Sequence, residues 1–164
     1  MPWASPLAWQ AAHQTVDDHL QRYRADLKPL ESLACEIKSG LIAVFPILDE
    51  LCAHSCPWCP EPCCLSASVW FDFKDLLFLH LNKLPISPAQ PMADAKTPCR
   101  YSGPRGCRLP RIARPWICTW YLCPTQTAKL RNGHQGKGDL LNRAFARIKS
   151  GRNLLETGFI HMVS

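Results

Sequence analysis

The chain contains no apolar run of the ~18 residues that a bilayer-spanning helix needs, so a membrane protein of that kind is not expected. Its opening, Met-Pro-Trp-Ala-Ser-Pro-Leu-Ala-Trp, lacks both a basic region and an unbroken apolar core. Asp17 and Asp18 follow soon after, so no secretory signal is expected. No internal repeat divides the sequence, and no Ser-His-Asp or Cys-His-Asn arrangement can be argued. Gly133-His-Gln-Gly136-Lys137-Gly lacks the spacing and the Ser or Thr of a phosphate loop, which excludes nucleotide binding there. Acidic residues are scarce in one half only. Residues 95–152 carry 13 basic side chains against one acidic, whereas residues 1–94 are net −5.

Cysteine, by contrast, is abundant and clustered. Nine of the ten cysteines fall into two knots: Cys52, Cys56, Cys59, Cys63 and Cys64, then Cys99, Cys107, Cys118 and Cys123. Without a secretory signal the expected compartment is the reducing cytoplasm, where thiols this dense point to metal or redox chemistry rather than to disulfides. Cys56 and Cys59 form a Cys-x2-Cys pair, whose two sulfurs sit on one turn at chelating distance, and a pair from elsewhere completes a tetrahedron. The looser spacing of Cys107, Cys118 and Cys123 suits a loop wrapped around a site. Cys35 lies outside both knots on an apolar face and is expected to be an ordinary buried thiol. Four thiolates around Zn2+ leave a charge of about −2, and a thiolate-ligated iron–sulfur cluster is similarly anionic. Arg100, Arg105, Arg108, Arg111 and Arg114, between Cys99 and Cys118, are suited to balance it; a solvated basic loop is the plainer alternative.

At 164 residues and 47% apolar content the chain is expected to fold as one mainly α domain, with helices flanking a loop-rich metal centre at 52–123. Ala12, Val16, Leu20, Tyr23 and Leu27 predict a helix over 7–28 closed by Pro29. Leu33, Ile37, Leu41, Val44, Leu48 and Leu51 predict a second helix over 31–51, kinked or ended at Pro46. Pro57, Pro60 and Pro62 favour a folded loop through the first knot, and Ser66 to Phe71 reads as a short extended piece. Asp72 reads as an N-cap with Asp75 in a capping box, opening a helix with Phe73, Leu76, Leu77, His80, Leu81 and Leu84 inward and Pro85 as its stop. Residues 85–98 read as a Pro-rich loop, and 129–138 as a polar, Gly-rich one. A last helix over 139–149 is expected to bury Leu140, Leu141, Ala144, Phe145 and Ile148, with Arg143 and Arg147 in water.

The cysteine pattern resembles the YkgJ-like cysteine-cluster family, described as a zinc- or iron-chelating domain. The family's Cys-x2-Cys-x3-Cys-Cys motif is matched by Cys56-Pro-Trp-Cys59-Pro-Glu-Pro-Cys63-Cys64. Its second half is matched by Cys99, Gly106-Cys107, Arg114-Pro115-Trp-Ile-Cys118 and Cys123. The resemblance covers residues 52–123. Pro60 stands where the family often has Gly, Pro110-Arg111 where a Tyr is common, and Cys52 is an extra thiol. The resemblance implies Cys56, Cys59, Cys63, Cys64, Cys99, Cys107, Cys118 and Cys123 as metal ligands, with Cys52 as an additional one. One relative is a protein lysine methylase whose similar domain is described as holding an iron–sulfur cluster.

The metal expected is an iron–sulfur cluster in preference to Zn2+, because nine thiols exceed the four of one zinc and adjacent Cys63-Cys64 is unusual for a zinc finger. An electron-transfer or accessory factor is the favoured reading. Cys52-x3-Cys56-x-aromatic-Cys59 also spells the radical SAM signature, but the 105 residues after Cys59 hold neither a repeated strand–helix alternation nor a Gly-Gly-Glu segment. Radical SAM or methylase chemistry is therefore the enzymatic alternative. A zinc-stapled module that binds an acidic partner, nucleic acid included, through 95–152 is the third, with a protein partner also open. His54, inside the first knot, reads as a neighbour of the thiols rather than a ligand, and His80 as a core histidine. Trp58, Trp116, Trp120 and Tyr121 either shield the centre or pack as core.

Overall fold

The computed structural model describes residues 3–94, 97–103, 106–133 and 136–164; the side chains of Cys64 and Ser66 lie outside the described set, as does Arg105. The fold is mainly helical: α1 (Pro6–Arg22), α2 (Lys28–Ser55), α3 (Cys63–Ser66), α4 (Phe73–Leu81), α5 (Ile117–Trp120), α6 (Pro124–Gly133) and α7 (Lys137–Val163), with 3-10 turns at Arg24–Asp26, Cys56–Trp58 and Arg111–Ala113. The strands are β1 (Ser102–Gly103) and β2 (Gly106–Cys107), an antiparallel pair in which Ser102 faces Cys107. Among the described residues no helix is long and apolar enough to cross a membrane.

α1 starts where Ser5 accepts the Ala8 N–H in its hydroxyl, 3.1 Å away. It stops at Arg22, earlier than the predicted end. Pro29 does not close it but sits in the first turn of α2, where a proline's missing N–H costs nothing. α2 then runs 28 residues without a break at Pro46. The proline is exposed, and Leu41, Val44, Leu48 and Leu51 stay buried on the opposite side, so core packing carries the helix through.

α7 departs most from expectation, since its predicted end at residue 149 is only its midpoint. It runs antiparallel along α2, with Gly40 against Ile148, Gly151 against Ile37 and Gly158 against Leu30. These glycines, which carry no side chain, supply the flat surface that lets the two axes approach. Leu140, expected inside, is 43% exposed, while Leu141, Ile148, Leu155 and Phe159 are buried. The stretch 129–138, expected as a loop, is largely taken by the end of α6 and the start of α7.

The main core joins α1, α2, α4 and α7 through Trp9, Leu20, Ile37, Leu76, Leu155 and Phe159; a second cluster of Val44, Leu48, Leu51, Leu130 and Leu141 lies toward the cysteine end. α4 opens on the predicted capping box. Asp72 Oδ1 accepts the Asp75 N–H at 2.8 Å and Asp75 Oδ2 accepts the Asp72 N–H at 3.0 Å. It ends at Leu81 on an Asn82 cap, short of Pro85. Residues 69–71 are extended but pair with no strand. Instead the buried Gln90 amide takes the Phe71 N–H at 2.8 Å and donates to the Phe71 carbonyl at 3.0 Å, and Met92 sulfur accepts the Val69 N–H. The Pro-rich loop is thereby part of the interior, with Ser87, Ala89, Gln90, Pro91 and Met92 all buried.

Candidate metal centre

Cys52 lies in the last turn of α2 rather than in a loop, because that helix overruns into the first knot. The chain then makes the 3-10 turn Cys56–Trp58, where the Cys56 carbonyl accepts the Cys59 N–H at 3.4 Å. This is the turn expected of a Cys-x2-Cys chelating pair. Cys59 is half-buried; Cys56 and Cys63 are exposed. Cys64 belongs to α3 by its backbone, and its thiol lies outside the described residues.

The second knot is built by the β1–β2 hairpin, which presents Cys107 beside Ser102, and by α5, which carries Cys118. Three of its thiols approach one another. Burial pushes the Cys118 thiol up to about 12, and the charges of Cys107 and Cys99 push it further in the same direction; Arg114 acts the opposite way. Arg114 is itself fixed by donating to the Leu109 carbonyl at 3.0 Å and the Cys107 carbonyl at 3.4 Å. Among the described arginines of the five expected to balance a thiolate cluster, Arg114 is the one that acts on Cys118.

The two knots meet through Gln126 and Arg111. The buried Gln126 amide donates to Cys52 sulfur at 3.6 Å and to Ser55 Oγ at 3.1 Å, while its Oε1 accepts the Cys123 N–H at 3.3 Å. Arg111 lies over the Phe45 ring at 5.9 Å, bonds Asp49 at 2.6 Å and donates to the Cys52 thiol. Burial works against its charge, but Cys52 and Asp49 outweigh burial and hold the guanidinium above its ordinary value. Cys52 thus faces an amide and a guanidinium.

Behind Cys118 stands a buried ionic knot. Asp75 Oδ1 accepts the Trp116 backbone N–H at 3.1 Å and Arg152 Nη1 at 2.8 Å, and Arg152 Nη2 reaches Asp72 at 2.8 Å. The Arg152 guanidinium also lies over the Trp116 ring, 5.6 Å from its centre. Burial raises the Asp75 carboxyl to about 7 against the pull of Arg152. The sequence offered Asp75 only as a helix cap, and Arg152, Gln126 and Ser55 carried no motif. An Arg fully inside a helix stripe, seven residues before Phe159, is the one signal that pointed to a buried partner.

The remaining candidates stand apart. Cys35 is exposed, not the buried thiol expected of it. His54 is exposed in the last turn of α2, and Trp58, at 84% exposure, neither packs nor shields. Trp120 and Tyr121 are also exposed, whereas Trp116 packs edge-on against Phe145. Two open clefts of about 550 and 610 Å3 border α6 and α7, and neither is lined by a cysteine or a histidine.

The donors are soft thiols suited to iron–sulfur or zinc, and the convergence of Cys99, Cys107 and Cys118 beside Arg114 fits such a group in chemistry. They do not stand at ligand spacing: among the described residues no three His, Cys, Asp or Glu are gathered closely enough to hold a metal ion. No protein-family model matches this chain, and no curated protein and no solved structure matches it either.

Proposed function

We propose that this chain is a metal-binding protein whose two cysteine knots hold one centre, an iron–sulfur cluster in preference to Zn2+, and that it serves as a redox or accessory factor. The observation that carries the reading is that Cys99 and Cys107 lie within electrostatic reach of the half-buried Cys118 thiol. Thiolates within electrostatic reach repel one another, and a bound cation removes that repulsion. Cys99, Cys107, Cys118 and Cys123 would supply ligands from one side, and Cys56, Cys59, Cys63 and Cys64 from the other, in line with the YkgJ-like resemblance. A cluster bound there would supply one-electron transfer; zinc would supply structure alone.

Gln126, which touches both Cys52 and the Cys123 backbone, ties the two halves together. Cys52, engaged by Arg111 and Gln126, serves better as a neighbour that moderates charge than as a ligand. Thiol chemistry of this density belongs in a reducing cytoplasm. The acidic-partner reading is weaker, because Arg111, Arg114 and Arg152 from the basic half are occupied by carboxylates and carbonyls of the fold itself.

The test is anaerobic purification of the full chain with metal and sulfide analysis. The expected protein is brown, absorbs broadly at about 400 nm and contains iron. A colourless protein with stoichiometric zinc transfers the centre to zinc and removes the redox role. Cys59→Ser combined with Cys118→Ser is expected to lose the metal, and Cys35→Ser to keep it. A metal-free wild type, or full metal in the double variant, overturns the proposal.

A further inference from the structure

The Asp75–Arg152 pair is a costly thing to bury. Both side chains are almost fully inside, at 6% and 5% exposure, and removing two charges from water commonly cancels their mutual attraction. Apolar residues of similar volume would stabilise the α4–α7 contact as well or better. What an apolar pair could not do is accept the Trp116 backbone N–H, which Asp75 Oδ1 takes at 3.1 Å. That N–H opens α5, the single turn that carries Cys118 two residues on. The same carboxylate lies within electrostatic reach of the Cys118 thiol. Arg152 holds the carboxylate from one side and covers the Trp116 ring from the other. Asp72 fixes the guanidinium's second nitrogen. The anchor therefore runs from α4 and the long α7, through one oxygen atom, to the backbone of a four-residue turn that has no side-chain cap of its own.

We infer that Asp75 and Arg152 are positioning residues of the cysteine centre, which moor the Trp116–Cys118 turn so that the half-buried Cys118 thiol is held on the side of Cys99 and Cys107. The inference rests on the reading of the knots as a metal site, but it makes a claim about the thiol that needs no metal.

The experiment separates positioning from stability. Asp75→Leu with Arg152→Met replaces the ion pair by apolar side chains and is expected to stay folded, since such exchanges are often neutral in stability. Asp75→Asn retains an oxygen that accepts the Trp116 N–H. In metal-free, reduced full-length protein, the alkylation rate of each cysteine is followed by mass spectrometry alongside a urea unfolding curve. The double variant is expected to alkylate Cys118 about ten- to a hundredfold faster than wild type, the range a lost hydrogen bond to a charged group allows. Exposed Cys35 and half-buried Cys52 are expected to keep their rates. Asp75→Asn is expected to keep the slow Cys118 rate.

A Cys118 rate unchanged in a folded double variant overturns the inference, as does equal acceleration of Cys52 and Cys118. If the double variant does not fold, Asp75→Asn compared with Asp75→Ala decides: equal Cys118 rates in those two overturn it. Loss of metal from the double variant with Cys118 still slow overturns positioning while leaving the metal site standing. Selective Cys118 acceleration in a chain that binds no metal has the converse meaning.

Discussion

The approach of α7 to α2 makes opposite demands on glycines of one helix, and identical substitutions should separate them. Replacing Gly by Ala stabilises a compatible helical position by about 0.4–1 kcal/mol, chiefly by restricting the unfolded chain. A Cβ added at Gly138, in the first turn of α7, meets nothing within 4 Å, so Gly138→Ala should collect that gain in full. At Gly151 the added Cβ would stand 3.1 Å from Ile37 Cγ1. Ile37 is 3% exposed, branched at Cβ and pinned inside the core, so it has no rotamer into which to retreat. Overpacking of this kind costs about 1–3 kcal/mol. Against the propensity gain the net loss is about 0.5–2 kcal/mol. Gly158→Ala should lie between them: its Cβ meets Leu30 Cδ2 at 2.8 Å, closer still, but that atom is the tip of a side chain that can swing. With about 2–4 °C per kcal/mol for a chain of this length, Gly138→Ala should raise the melting temperature by about 1–4 °C and Gly151→Ala should lower it by about 1–8 °C. Urea titration followed by helical circular dichroism gives the free energies directly. Gly151→Ala as stable as wild type, or both variants moving the same way, would refute the packing argument.

Two further predictions concern the histidine pair between α1 and α4 and the proline inside α2. His13 and His80 lie 5.5 Å apart with both Nε2 atoms buried and unpartnered; burial, then the His80 charge, lowers His13 to about 4, and burial lowers His80 against the pull of Asp17. The unfolded chain takes up these protons from about pH 6.5 downward while the folded one resists, so the pair's contribution is lost as pH falls from 6.5 toward 4, by about 1 kcal/mol for His13 after solvent screening. Asp75, raised toward 7, acts oppositely in that window, so the test is the difference in unfolding free energy between wild type and His13→Phe/His80→Leu across pH 4–7; a difference independent of pH would contradict the reasoning. In α2, Pro46→Ala should stabilise by about 1–3 kcal/mol, because the exposed ring is held in the helix only by the packing behind it, and an equal or lower urea midpoint would show that the helix is adapted to the proline.

Most helix positions were legible from apolar spacing, and the places where the reading failed share a cause. Pro29 reads as a stop but falls in the first turn of α2, where it costs nothing, and Pro46 reads as one because its local cost is visible in sequence, whereas Leu41, Val44 and Leu48, which offset that cost, act only once a partner helix covers them. Gly151 and Gly158 lie beyond the predicted end of the last helix at residue 149, and their packing against Ile37 and Leu30 exists only once α7 lies on α2.

For the site, sequence alone determined which atoms are present: nine thiols in two knots, five arginines among four of them, and the Cys56–Cys59 turn. Those follow from residue type and short spacing, which the backbone cannot much alter. Tertiary structure decided which thiols meet. It brought Cys99 and Cys107 within electrostatic reach of a half-buried Cys118, placed Cys52 against Arg111 and Gln126, and left Cys35 and Cys56 at the surface. It also recruited Asp75 and Arg152, residues 77 positions apart that no motif could connect, because a buried charge finds its partner through the packing of α4 on α7 and not through the order of the chain.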